Sequence, residues 1–328
     1  MIIKKIYLIL PIIFIISSCQ TEMDKPVDYP GQWERHPDNP VYRDYISEEN
    51  YEVASDPHVF FDEEGQLYMI YTGDVNGNPG IKLAKGKSFS EWEYEADLIY
   101  EVGPSGWDIH KETAFYRFSS SGKHQIYYIG YPNEENYESQ LFLAEADEIT
   151  GPYVQQSEPI IARGILAGKP VHLITSPSVL EHDKLLYLTF LAWDGFQDVT
   201  MVWVMGAVSD DDGTTWKDIK EVNVPIGMEG QVTQMPDGTY CAVRTDAFKN
   251  VEAIWFSTAS HPFGPWEEQD QPILVQEGAP WEVNEIIAPQ ITVNPDNEQM
   301  YLYYTGADYQ KGWWVMLAEP YEQTKMNQ

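Results

Sequence analysis

One unit recurs five times along this chain, with steps of 53 to 64 residues between copies. A repeat of that period constrains the fold more than any single motif does. Each copy has a short inner segment, a turn that often holds Gly or Asp, and a tyrosine-rich strand ending in a small or polar residue. The copies pair Asp56-Pro57-His58-Val59 with Leu67-Tyr68-Met69-Ile70-Tyr71-Thr72-Gly73, and Glu112-Thr113-Ala114-Phe115 with Ile126-Tyr127-Tyr128-Ile129-Gly130. They continue with Ser176-Pro177-Ser178-Val179 and Leu186-Tyr187-Leu188-Thr189-Phe190, then Glu229-Gly230-Gln231-Val232 and Tyr240-Cys241-Ala242-Val243-Arg244. The last pairs Ala288-Pro289-Gln290-Ile291 with Met300-Tyr301-Leu302-Tyr303-Tyr304-Thr305-Gly306.

A third apolar segment follows in every copy, and a glycine-proline-aromatic turn (Gly151-Pro152-Tyr153, Gly264-Pro265-Trp266) opens a fourth strand in two of them. Short strands between turns, with no long amphipathic helix, predict radially repeated four-stranded sheets. The fifth copy breaks off near Pro320, while Gly31-Gln32-Trp33 and Pro40-Val41-Tyr42 carry the fourth-strand signature at the other end of the chain. The expectation is an all-β, five-bladed β-propeller whose last blade is closed by an N-terminal strand, which covers the edges an open array exposes.

The first twenty residues stand apart from this repeat. Lys4 and Lys5 precede an apolar stretch from Ile6 to Ile16, and Ile16-Ser17-Ser18-Cys19 has the small residues and cysteine of a bacterial lipoprotein cleavage site. The chain is therefore read as a signal peptide (1–18), a tether (19–32) and a single propeller domain (33–328). Cys19 is the expected lipidation site of an exported, membrane-anchored lipoprotein, periplasmic or cell-surface, that meets the membrane through its anchor alone and is otherwise a monomer. The other cysteine, Cys241, lies in an apolar run, so neither a disulfide nor a thiolate metal cluster is expected. With 52 acidic against 20 basic residues the formal net charge is −32, which repels phosphate backbones and excludes nucleic acid as a partner.

Antiparallel pairing places the start of every inner strand at one mouth of the ring. Asp56, Glu112, Ser176, Glu229 and Ala288 are expected there as equivalent positions, three of them carboxylates. Unpaired carboxylates around a channel are costly unless they serve chemistry. Trp107, Trp193 and Trp281 fall on the strand exits and linkers around this mouth, where sugar-stacking platforms and inter-blade packing are both open readings. Arg244 and Glu285 complete the expected substrate-binding set.

Ser55-Asp56-Pro57-His58-Val59 before a tyrosine-rich strand, the Gly-Pro-Trp turn and the five units together resemble glycoside hydrolase family 43 and its relatives, over about residues 33 to 320. The resemblance implies hydrolysis of a neutral oligo- or polysaccharide by carboxylate acid/base catalysis, with inversion. By position Asp56 matches the family's general base and Glu229 its general acid. The family's third carboxylate, an Asp that orients the acid, has no counterpart in the third blade, where Ser176 stands. Glu112 in the second blade then either orients the acid or is itself the acid, or the propeller binds glycan without cleaving it. No cofactor is required by this chemistry. The resemblance admits a structural calcium in the central channel near His58, His110 or His172, and no spacing resembles a zinc site. Ser209-Asp210-Asp211-Asp212-Gly213-Thr214-Thr215-Trp216 matches the Asp-box turn of sialidases and is read as a structural turn away from the site.

Overall fold

The computed structural model describes residues 33–44, 51–132, 137–195, 199–227 and 229–321. Every regular element among them is a β-strand. The expected signal peptide, Cys19 and the tether lie outside the described residues, as does the Gly31-Gln32 part of the N-terminal signature.

Each sequence unit folds as an antiparallel run of strands. The first unit comprises Glu52–Phe61, Leu67–Val75, Asn78–Gly86 and Trp92–Ile99; the second comprises His110–Phe118, His124–Tyr131, Gln140–Ala146 and Val154–Gln155. The third is Leu173–His182, Leu185–Trp193, Val202–Ser209 and Lys217–Glu221. The fourth is Glu229–Gln234, Tyr240–Phe248, Val251–Ala259 and Trp266–Glu268, with Leu274–Val275 added on Val251–Ala259. The fifth has Glu285–Val293, Met300–Asp308 and Gly312–Pro320. A small hairpin, Gly164–Leu166 with Lys169–Val171, lies between the second and third units.

The N-terminal strand Trp33–Arg35 pairs antiparallel with Gly312–Pro320, Trp33 opposite Pro320 and Arg35 opposite Ala318. It occupies the edge where the fifth unit lacks a fourth strand. A short parallel pairing of Glu52 and Val53 with Gly312 and Trp313 joins the first and fifth units into one eight-stranded sheet, and no sheet closes on itself.

The apolar faces explain the arrangement. The second strand of each unit is covered on both faces (Met69, Ile70 and Tyr71 are all at 0% exposure), which is why its sequence runs apolar and aromatic instead of alternating. One cluster joins Ile70 and Leu83 of the first unit to Tyr128 and Phe142 of the second. Tyr127 and Leu143 then pack with Leu188 and Phe190 of the third unit, and Leu191 with Val232 and Tyr240 of the fourth. Val243 and Ile254 meet Leu302 and Trp314 of the fifth, and Tyr303 and Leu317 return to Met69 and Tyr71 of the first. Burying one Leu or Phe side chain stabilises by about 1.5–3 kcal/mol, so stacking neighbouring units supplies what a lone sheet lacks.

The small residues that end the tyrosine strands have a packing cause. A Cβ on Gly130 would lie 2.5 Å from Asp108 Cβ, and one on Gly306 would lie 2.5 Å from the Trp281 carbonyl oxygen, because the linkers into the second and fifth units cross there. The second of these linkers is pinned by charge. Arg35 on the N-terminal strand donates from Nε and Nη2 to the fully buried Glu282 carboxylate, and Tyr304 donates to the same group at 2.6 Å. Losing one partner of a buried pair leaves the other charge unpaired, at a cost of about 3–5 kcal/mol.

One expectation about register is corrected. Four inner strands carry a one-residue bulge, with Asp56 (φ 52°), Thr113 (46°), Ser176 (52°) and Ala288 (51°) in the left-handed region. The counterpart of Asp56 in the second unit is therefore Thr113, not Glu112. Glu112 pairs with Ile129 and Glu229 with Thr245, as Ser55 pairs with Thr72, so the two glutamates stand one residue before the bulge position. The Glu229–Gln234 strand has no bulge at all. The extra residue is invisible in spacing alone, because one strand absorbs it while its partner does not.

Candidate active site

The bulges aim the first residues of the inner strands at one mouth and tie neighbouring units together. The Asp56 amide donates to Thr305 Oγ1 of the fifth unit (2.9 Å), and the Thr113 amide to Thr72 Oγ1 of the first (3.1 Å). These bonds satisfy amides that the ladder leaves without a strand partner. Gly230, beside Glu229, has no room for a side chain, since its Cβ would sit 2.0 Å from the Val243 carbonyl oxygen.

Asp56, Glu112 and Glu229 come within electrostatic reach of one another, and with them Glu285 and Glu252. All five are half-buried. Burial, followed by the charges of Asp56, Glu285, Glu112 and Glu252, pushes the Glu229 carboxyl well above the usual carboxylate range. Burial also raises Asp56, but hydrogen bonds from the Ser55 and Thr72 hydroxyls pull it back. The hydroxyl donors favour the charged form at Asp56, and the neighbouring carboxylates favour the neutral form at Glu229. Burial raises Glu285, opposed by a hydrogen bond with Tyr309, and carries Glu252 up to about 7. Both oxygens of Glu112 receive phenolic hydroxyls, Tyr131 on Oε1 and Tyr137 on Oε2.

Asp56, Glu112, Glu229 and Glu285, all expected from the sequence, are thus brought together. Glu252, Tyr137 and Tyr309 were not anticipated, because they belong to outer strands and connecting loops and carry no motif. Tyr131 was visible only as a strand exit. The expected aromatic residues each spend surface on the protein. Trp107 lies under the Arg163 guanidinium (5.2 Å) and donates its indole N–H to the Glu138 carbonyl, while Arg163 pairs with the Glu138 carboxylate at 2.8 Å. Trp193 packs on the core between the third and fourth units. Trp281 meets Trp314 edge-on at 5.0 Å and carries Arg43 over its face. Arg244 is held by Glu268 (2.9 Å) and Asp246 and stacks on Trp255.

The histidines divide. His58 is buried in the channel, its Nδ1 2.9 Å from Gln231 Oε1 of the fourth unit, and burial takes it down to about 4. His110 stacks on Tyr131, and the His172 amide bonds to the Trp193 carbonyl. Among the described residues no three His, Cys, Asp or Glu side chains gather to hold a metal ion. Calcium asks for six to eight oxygens, several of them anionic; the neutral amide beside His58 does not meet that, and no step below is routed through a cation.

Two further motifs have structural places. In the Asp-box turn Asp211 accepts from the Thr215 amide and hydroxyl, and Asp212 accepts from Arg117 (2.6 Å) and from Ser120 and Ser121 of the second unit. Strand direction puts this turn at the far end of the third unit from Ser176. Cys241 is buried, its thiol pushed up to about 12 by burial, which suits a packing residue and not a nucleophile.

Comparison with known proteins bears on this geometry. The family described as glycosyl hydrolases family 43 matches residues 51–322. No curated protein sequence matches the chain. Among solved structures, a thermostable family 43 glycoside hydrolase is similar with TM-score 0.62 at 16% identity, over 81% of this chain and 88% of that one. The catalytic domain of a family 62 α-L-arabinofuranosidase from Coprinopsis cinerea gives TM-score 0.64 at 11% identity, over 89% and 98%. A family 43 β-xylosidase/α-arabinofuranosidase from a compost microbial metagenome, in complex with xylotriose, gives 0.60 at 16%, over 81% and 90%. At these identities the structural likeness speaks for the β-propeller fold alone.

Proposed function

The chain belongs to family 43 of the glycosyl hydrolases and is a glycosidase, and we propose that Asp56 and Glu229 carry its reaction as general base and general acid. The observation that carries this reading is the unequal environment of the two carboxyls. Asp56 has hydroxyl donors that favour its charged form, whereas Glu229 is surrounded by four other carboxylates that favour its neutral form.

In the reaction Asp56 takes a proton from a water molecule, whose oxygen attacks the anomeric carbon. Glu229 gives its proton to the leaving oxygen as the glycosidic bond breaks. We infer a single displacement with inversion, in which Asp56 activates water and does not itself bond to the sugar. Glu112, which accepts from two tyrosine hydroxyls, lies beside Glu229 and takes the place that a third-blade carboxylate fills in the family resemblance.

The substrate is proposed to be a neutral glycan. The nearby cations are engaged, Arg244 with Glu268 and Asp246, Arg163 with Glu138 and buried Lys111 with Asp108, while five carboxylates face the mouth. Arabinofuranosidases and a β-xylosidase among the similar structures make pentosyl glycans the first class to try. The five units are proposed to be five blades, with Trp33–Arg35 closing the last. The cyclic order of the five core clusters supports that count.

The test is hydrolysis of a panel of α-L-arabinofuranosides, β-D-xylosides and their polymers, followed by proton NMR of the first anomer released. The expected product has inverted configuration; retention makes Asp56 a nucleophile, and no hydrolysis across the panel ends this substrate reading. The lipoprotein reading rests on Lys4, Lys5, the apolar run and Cys19. It places the protein on an exported membrane face as an anchored monomer. Metabolic palmitate labelling that disappears in Cys19→Ser is the expected result; labelling that persists overturns it.

A further inference from the structure

Glu112 is the least explained member of the cluster, since two phenols meet its carboxylate where one donor already satisfies an oxygen. Tyr131 comes from the end of its strand and Tyr137 from further along the chain, and the rings lie 4.3 Å apart with the carboxylate held at both oxygens. His110, at the start of the same inner strand, stacks on Tyr131 at 5.1 Å and fixes that ring from behind. A carboxylate that accepts two hydroxyl donors is favoured in its charged form. Tyr137 itself cannot share the charge, because burial, and then Glu112, Asp56 and Glu229, raise its phenol well above its ordinary value.

We propose that Tyr131 and Tyr137 are positioning residues that hold Glu112 as a fixed anion, so that of these two glutamates it is Glu229 and not Glu112 that carries a proton. The inference rests on Glu229 being the acid. Among the described residues, the groups that face Glu112 and Glu229 include Asp56 from the first unit, Glu285 from the fifth, Glu252 from the third strand of the fourth, and the two tyrosines, with His110 stacked on Tyr131. Without the clamp, Glu112 competes for the proton. Each molecule that carries it there has an ionised Glu229 and is inactive.

The sign follows. The basic limb of the kcat profile reports loss of the proton from the acid. In Tyr137→Phe, and further in Tyr131→Phe/Tyr137→Phe, the plateau is expected to fall as Glu112 takes a share of the proton, while the limb does not move to lower pH, because Glu112 is still ionised when the last proton leaves. Glu112→Gln removes that charge and is expected to move the limb to lower pH by about one unit, and adding the tyrosine substitutions to Glu112→Gln should change neither limb nor plateau further, as expected for residues acting through one partner. An unchanged plateau in the double variant, or an equal further loss in the Glu112→Gln background, overturns the proposal.

A second measurement needs no substrate. Carbon-13 carboxyl NMR of the full-length folded domain labelled at glutamate, with Glu112 assigned from Glu112→Gln, should show the Glu112 titration rise in both tyrosine variants. A Glu112 titration that stays in place sinks the clamp. Loss of all hydrolysis in the wild type, with the NMR shift intact, sinks the catalytic reading instead.

Discussion

Asp56→Asn is expected to lower kcat on every hydrolysed glycoside by roughly 10²–10⁴-fold, the usual contribution of a positioned acid or base. That is a loss of up to about 5.5 kcal/mol of transition-state stabilisation. The amide cannot take the proton of the attacking water, yet it nearly matches the carboxylate in shape and keeps an oxygen for the Ser55 and Thr72 hydroxyls. The bulge that presents it, at φ 52°, is held by the Asp56 amide to Thr305 and does not depend on the side-chain charge. Binding of uncleaved glycan and the thermal midpoint are therefore expected to persist. The substitution also removes one of the charges that raise Glu229, so the residual activity should lose its basic limb at a lower pH than the wild type. Steady-state kinetics with isothermal titration of the same glycan decides the matter. A variant with wild-type kcat excludes Asp56 as base, and one that no longer binds glycan shows a positioning defect instead.

Glu229→Gln has the second large effect, and its signature is a dependence on the leaving group. On an alkyl or oligosaccharide leaving group, which must be protonated as it departs, kcat is expected to fall by roughly 10²–10⁴-fold. On a 2,4-dinitrophenyl glycoside, whose leaving group departs as a stable anion, the loss should be within about tenfold. Glu112→Gln should show no such contrast, since Glu112 lies beside the acid without delivering the proton. If instead Glu112→Gln is the variant rescued by the activated leaving group, the acid has been assigned to the wrong glutamate. This contrast separates the two carboxylates without any structure of a complex, because it reads only which group moves a proton to oxygen.

The two predictions differ in how visible their residues were in the chain. Asp56 could be found from Ser55-Asp56-Pro57-His58-Val59 and from its place at the head of a repeat. Glu229 could be found from the same repeat one step less securely, since Glu229-Gly230-Gln231-Val232 lacks the proline. The apparent equivalence of Asp56 with Glu112 was an error of one residue, caused by bulges that lengthen four of the five inner strands. Glu252 and Tyr137 could not be found this way. Glu252 lies near the start of an outer strand and accepts from the Ile286 amide in the next unit, and Tyr137 reaches Glu112 from 25 residues further along the chain. Trp107, Trp193, Trp281 and Arg244 show the converse. Their types suggested sugar contact, but indole and guanidinium groups are equally suited to packing and ion pairs, and each has such partners here.

The sequence by itself determined the all-β character, the five-unit period, the lending of Trp33–Arg35 to the incomplete last unit and the candidacy of Asp56 and Glu229. These follow from local pattern, since strand propensity, turn residues and repeat length are properties of short segments. Only the tertiary structure decided the register of the inner strands, the partners of Glu112 and which carboxyls gather beside Glu229. Those depend on which groups from distant units share one desolvated mouth. Charge and burial act through space with no regard for position along the chain.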